Sequence, residues 1–205
     1  MLCQDIVYRK ENKGIKIRLP IGGLFIAICM EKIVVATDIH GSALRGKMVV
    51  DAFLKEGADK LILLGDIYYH GPRNPLPEGH NPMALAEVLN AVSDRILCIK
   101  GNCDAEVDSM ISRFEFCPPR LINVGEKKFF LMHGHESVPV PSDADVVFRG
   151  HFHVNSCEGT APKILGLSSA SLPKGGCEPC YAVVTESTVE YRNLLDGNTT
   201  KTLNI

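Results

Sequence analysis

Three things are scarce in this chain. The first is charge of one sign: 22 Lys and Arg stand against 24 Asp and Glu, a formal net charge of −2. No global field draws the protein toward nucleic acid or an anionic membrane, and no basic stripe marks a dedicated nuclease. The second is long apolar runs. The run Leu19–Met30 is shorter than the roughly 20 residues that cross a bilayer. The basic stretch that ends at Arg18 imitates the front of a signal peptide. No small-residue cleavage site follows it, however, and a cut there would fall at the edge of the strand that begins at Ile33. The third is repetition: neither an internal repeat nor a low-complexity segment is present. The 205 residues are therefore read as a single domain from Met30 to residue 205, preceded by an upstream extension, residues 1–29. A chain of this size buries roughly 70% of its unfolded surface.

Cysteine is not scarce, with eight in the chain. A chain 45% hydrophobic and without an evident export signal needs no disulfide staples, so the thiols are expected to be reduced and the compartment cytoplasmic. Cys177-Glu178-Pro179-Cys180 is a lone CxxC. It lacks the second pair of a zinc site and the strand–helix setting of a redox motif, and reads as incidental loop cysteines.

From Lys32 onward β and α patterns alternate. Ile33–Ala36, Leu61–Leu64 and Arg95–Ile99 are short apolar runs expected to be buried strands. Between the first two, Ser42 is a helix N-cap, Leu44, Met48, Val49, Ala52 and Phe53 recur at helical spacing, and Gly57 closes the helix. A second helix is expected over Met83–Val92 and a short one over Ala105–Phe114. Ile67–Pro82 is a loop long enough to suggest function. The second half reads as strands: Arg120–Val124, Lys127–Met132, Val146–Arg149, Asn155–Glu158, Lys163–Leu167, Tyr181–Thr185 and Thr188–Arg192, in a mostly antiparallel run. Two packed sheets flanked by helices fit this order.

Chemistry concentrates in five short clusters: Asp38-Ile39-His40, Gly65-Asp66, Gly101-Asn102, His133-Gly134-His135 and His151-Phe152-His153. Each follows an expected strand, and in open α/β sheets ligands gather at the carboxyl ends of strands. Carboxylate, imidazole and amide oxygen together suit divalent Mn, Fe, Ni or Zn. Taken singly, each cluster has an ordinary structural reading as a turn, a cap or a packed histidine. Their shared placement at strand ends favours a metal site.

In order and composition the clusters, with Asp104 after Asn102-Cys103, resemble the calcineurin-like metallophosphoesterase signature. The stretches Asp38-Ile39-His40-Gly41-Ser42, His70-Gly71-Pro72-Arg73-Asn74, Leu76-Pro77-Glu78-Gly79, Gly101-Asn102-Cys103-Asp104 and Leu172-Pro173-Lys174-Gly175-Gly176 are similar to the small bacterial YfcE-type phosphodiesterases. The resemblance implies a four-layer α/β/β/α sandwich, two mixed sheets flanked by helices, with a two-metal site. It puts Asp38, His40, Asp66 and His153 on one cation, and Asp66, Asn102, His133 and His151 on the other. Manganese is the leading expectation, with Fe, Ni or Zn as alternatives. His135 then stands behind the ligands or faces substrate.

A metal pair of this kind clamps the oxygens of a phosphoester and activates the hydroxide that attacks it. The expected activity is hydrolysis of a small phosphodiester. A phosphomonoesterase and a non-catalytic protein-binding scaffold on the same fold are the rivals; homo-oligomer formation is left open. Two departures stand out. Many members of the superfamily place a histidine, read as the general acid, where this chain has Cys103, and a thiol is a poor substitute for an imidazolium. Gly166-Leu167-Ser168-Ser169 stands where many relatives carry Asn-Pro-Gly-Ser, which puts the turn behind the site in question. Asp104 either orients site groups or caps the helix after it. His70 and Arg73 are substrate-binding candidates on the Ile67–Pro82 loop, and Lys174 is a weaker one.

Overall fold

The computed structural model describes residues 30–205, together with a strand pair before them, β1 (Ile17–Arg18) and β2 (Ala27–Ile28). The rest of the expected extension, residues 1–29, lies outside the described residues.

The first half follows the sequence pattern closely. β3 (Lys32–Ala36) leads through Asp38–Gly41 into α1 (Ala43–Glu56), where Ser42 Oγ accepts the Arg45 N–H at 3.1 Å and Gly57, at φ 61°, ends the helix. β4 (Lys60–Leu63), α2 (Pro82–Asn90), β5 (Ile96–Ile99) and β6 (Phe116–Cys117) come next. α2 starts one residue earlier than its periodicity predicts, because Asn81 caps it and Pro82 supplies a preset φ at its first turn. Gly46 lets the two helices meet: a Cβ there would stand 2.0 Å from Leu85 Cδ1.

The second half supplies β7 (Arg120–Val124), β8 (Lys127–Met132), β9 (Val146–Arg149), β10 (Ser156–Glu158), β11 (Lys163–Gly166), β12 (Cys180–Thr185), β13 (Thr188–Asn193) and β14 (Thr199–Asn204). One sheet has seven strands in the order β14-β13-β12-β3-β4-β5-β6, and the other five, β10-β11-β9-β8-β7. The second half is mostly antiparallel, as expected, but contains two parallel pairs. β8 pairs β9, and β9 pairs β11, in parallel, because each connection crosses over rather than turning back. The helix expected over Ala105–Phe114 is only a 3₁₀ segment, Glu106–Met110. β6 and β14 carry too little apolar alternation to be read from sequence.

Each strand of the parallel core is buried on both faces. Ile33, Val35, Ile62 and Leu64 face the second sheet and pack on Phe129, Leu131, Val146 and Phe148. Val34, Ala36, Leu61 and Leu63 face the helices and meet Val49, Phe53, Leu85 and Leu89. Continuous rather than alternating apolar runs follow from this double burial. The outer face of the five-stranded sheet carries Phe130 and Val147, packed under Val138 and Ala144 of the segment after β8. This covering layer contains no helix among the described residues. No described helix is long and apolar enough to cross a membrane.

Candidate metal centre

The loops that leave β3, β4, β5, β8 and β9 converge at one edge of the sandwich. Backbone hydrogen bonds lock them together: Asp38 N to Gly65 O (3.0 Å), His40 N to Asp66 O (2.9 Å) and Gly150 N to His133 O (2.9 Å). The glycines in these loops allow the approach. A Cβ on Gly101 would stand 2.2 Å from Asp66 Oδ1, and one on Gly150 would stand 2.0 Å from Thr37 Oγ1. Among the described residues, Asp38, His40, Asp66, His151 and His153 are the non-glycine residues held at positive φ, between 51° and 65°. All five are ligand candidates. Such backbone is strained for L-residues and persists where the surrounding structure over-determines it, as at ligand clamps.

Asp38, His40 and His153 form one group. All three are buried, and one potential ligand atom from each lies within 4.8 Å of the others. His40 Nδ1 donates to Tyr69 O at 2.8 Å and His153 Nδ1 to Leu172 O at 2.6 Å. These bonds select the tautomer that turns each Nε2 lone pair into the site. The two Nε2 atoms are then 3.2 Å apart, and Asp38 Oδ1 lies 3.2 Å from His153 Nε2 and 3.6 Å from His40 Nε2. Asp38 Oδ1 is buried and accepts no hydrogen bond among the described residues. Acceptors crowded without donors suit a cation. Burial opposes ionisation of Asp38, yet the imidazoles of His153 and His40 hold its carboxyl well below the usual range. Burial likewise opposes charge on His40, but Asp38 raises its pKa.

Asp66, His133 and His151 form a second group with the same spacing. His133 Nδ1 donates to Leu64 O at 2.5 Å, while its Nε2 stands 3.0 Å from Asn102 Oδ1 and 3.4 Å from Asp66 Oδ1. The other oxygen of Asp66 is 3.9 Å from His40 Nε2, so this carboxylate faces both groups. Burial again opposes the charged forms. Even so, Asp66 and Asp38 lift His133 to about 9, and His133 lowers Asp66. Burial and the neighbouring His133 push His151 down, which favours the neutral, ligating imidazole. His151 is half-buried and Asn102 exposed.

The surrounding residues answer several of the sequence expectations. Asp104 does not cap a helix. It accepts the N–H groups of Asp66 (2.9 Å), Ile67 (2.8 Å) and Gly101 (2.7 Å), tying two site loops together. The altered turn after β11 still backs the site: the Ser169 and Ser171 hydroxyls donate to Asp38 O at 2.7 and 3.1 Å, and Ser168 donates to His153 O at 3.1 Å. Thr37 Oγ1 holds Asp38 Oδ2 at 2.6 Å. Sequence reading passed over Thr37 and Ser171; their only signal was adjacency to a ligand motif. Cys103 lies within reach of His40 and Asp66, and burial together with Asp66 pushes its thiol up to about 12.

The remaining candidates stand farther out. The exposed His135 stacks near His133, with centroids 5.4 Å apart, and its Nε2 lies 3.2 Å from Glu136. His70 packs edge-on to His80, 5.6 Å away. Its neighbour Gly71 runs so close to Cys103 that a Cβ there would be 3.2 Å from Sγ. Arg73 and Lys174 are exposed. Cys177 lies in the loop as expected, but Cys180 opens β12 and is buried.

The chain is similar to known proteins. The calcineurin-like phosphoesterase superfamily domain matches residues 31–188. Phosphodiesterase YfcE of Escherichia coli (strain K12) is 38% identical over 161 residues, 76% of this chain and 88% of that protein. The structure of YfcE, a phosphoesterase from E. coli, superposes with a TM-score of 0.78 at 34% identity, covering 85% of this chain and 99% of that one. Vps29 from Entamoeba histolytica, solved with Zn²⁺, shares the fold, with a TM-score of 0.55 at 17% identity over 84% of this chain and 98% of that one. The chain belongs to the calcineurin-like phosphoesterase superfamily, in its YfcE-type phosphodiesterase branch.

Proposed function

We propose that the protein is a metal-dependent phosphodiesterase. Asp38, His40, His153 and Asp66 would hold one divalent cation, and Asp66, Asn102, His133 and His151 a second. The observation that carries this reading is the pair of ligand groups, each with its atoms within 4.8 Å of one another, with Asp66 turned toward both. Bound there, the cations supply Lewis-acid activation of water and offset charge on the phosphoryl oxygens.

The chain's own residues do the rest. Tyr69 O, Leu172 O and Leu64 O fix the tautomers of three imidazoles, so their Nε2 atoms need no reorientation when a cation arrives. Asp104 holds the loops that carry Asp66 and Asn102 in register. In this reading His135 stands behind the ligands or faces substrate, and His70 and Arg73 on the loop after β4 are the substrate-binding candidates. Cys103, protonated and with a thiol pKa near 12, is a weak proton donor. The enzyme should therefore prefer diesters whose leaving groups need little protonation. Mixed oxygen and imidazole donors support manganese. The free cysteines, Cys98 and Cys103 among them, support a cytoplasmic location.

Hydrolysis of bis(p-nitrophenyl) phosphate after chelation, with and without added Mn²⁺, tests the reading, together with the metal content per chain. Turnover restored by Mn²⁺ at two ions per chain is expected. Folded protein that turns over nothing with any divalent metal would favour the scaffold. Faster hydrolysis of the monoester would favour a phosphomonoesterase.

A further inference from the structure

Beside the second ligand group the surface opens into a cleft of about 350 Å³, which reaches from His133 and Gly101 to Phe116. It lies where the short edge strand β6 of one sheet meets the end of β8 in the other. Its walls differ from the metal site in character. Phe116, Pro118, Pro119, Met132 and Val138 make them apolar, whereas the ligand groups next door are wholly polar. Lys100 and Glu136 also line it. Glu136 is already engaged by His135, 3.2 Å away. The Lys100 ammonium makes no hydrogen bond or ion pair with a described residue, so the cleft offers one free positive charge.

We propose that this cleft receives the retained, non-leaving arm of the diester, and that the arm it fits is a single flat apolar ring system, of phenyl or nucleobase shape. The proposal rests on the phosphodiesterase reading above. Three observations support it. The volume is at the lower end of small-ligand sites, roughly 300–1,000 Å³, which suits one ring system rather than a lipid chain. Phe116, Pro118, Pro119 and Met132 are the residue types on which flat rings pack well. The cleft also shares His133 and Gly101 with the second ligand group and its loops, so a group held there is next to the site. Lys100 then pairs with the phosphate whatever the arm carries, and Phe116 discriminates between arms.

Two diesters with the same leaving group separate these roles: bis(p-nitrophenyl) phosphate, whose retained arm is a ring, and methyl p-nitrophenyl phosphate, whose retained arm is one carbon. Phe116→Ala should raise KM for the first by about tenfold, the scale of one lost ring contact, and for the second by no more than about threefold. Lys100→Met should raise both alike. Phe116 also packs against the helical core. For that reason Val138→Gln, which makes a second wall polar, should reproduce the selective loss without touching Phe116. A readout independent of turnover comes from ¹³C-methyl methionine spectra. Phenylphosphonate should shift the Met132 signal, methylphosphonate should leave it in place, and Val138→Gln should weaken the shift. An equal rise in KM for both diesters in Phe116→Ala and Val138→Gln, or a Met132 signal indifferent to phenylphosphonate, overturns the proposal. Should no metal restore turnover, the phosphodiesterase reading fails on its own and the Met132 signal alone decides whether the cleft takes a ring.

Discussion

The two ligand groups of the candidate metal centre are built differently. Around Asp38, His40 and His153 everything is buried and tied down: each imidazole is anchored on a carbonyl, and Asp38 is gripped by Thr37 Oγ1 and His151 N. Around Asp66 and His133 the anchoring stops halfway. His133 is fixed by Leu64 O, but the ring of His151 makes no hydrogen bond among the described residues, and Asn102 is exposed. A deep half that is preorganised and an open half that is accessible suit different tasks. The first should hold a cation tightly. In the proposed reading the second meets substrate, and it adjoins the cleft.

That contrast can be broken most severely at its hinge. Asp66 faces both halves, so Asp66→Ala should lower kcat/KM by at least about a thousandfold and reduce bound metal in both. A loss below about tenfold in assays at saturating Mn²⁺ would mean that the carboxylate is not shared. Chelation sharpens the contrast next. Bound metal should leave in two phases, the open half first. His153→Ala should cost about tenfold more metal affinity than His151→Ala, within the range that ligand surroundings command. Release in a single phase, with equal losses in the two variants, would dissolve the distinction.

The pH response is smaller. In metal-free protein the pKa of His133 is raised to about 9 from an unfolded value near 6.5. Its protonated form therefore contributes stability that is complete below about 6.5 and lost as pH rises through 9. Melting temperatures of chelated protein should accordingly fall by a few degrees between those limits, while affinity for Mn²⁺ rises over the same window as the proton leaves. A metal-free melting curve that is flat over the window would remove His133 from this account. The smallest expected effect is at Cys103. Cys103→His should raise kcat by about threefold for alkyl leaving groups and hardly at all for p-nitrophenolate, flattening the dependence on leaving-group pKa. No change in that slope would show that the residue beside Asn102 does not serve the leaving group.

Much of this was legible in the linear chain. Ser42 and Gly57 bound α1 as expected because capping is local chemistry. The ligand candidates were legible because each follows an apolar run that has to be a buried strand. What was not legible was non-local. The parallel pairing of β8, β9 and β11 depends on crossovers, which no short window of sequence reports. The role of Asp104 depends on a loop 38 residues away: its neighbour Ala105 looked like the start of a helix, but the carboxylate is spent on Asp66 N and Ile67 N. The helix expected from Ala105 shrank to a 3₁₀ segment.

By itself the sequence pointed to the kind of chemistry, since five clusters of Asp, His and Asn share a placement at strand ends that single turns, caps or packed histidines do not explain together. It also determined the order in which strands and helices form, through apolar period and caps. Tertiary structure alone decided the partition into a deep and an open half, the positive φ of Asp38, His40, Asp66, His151 and His153, and the apolar cleft beside His133. The reason is physical. Residue identity sets what a group can bind. How buried, anchored or strained that group is depends on which distant segments pack against it.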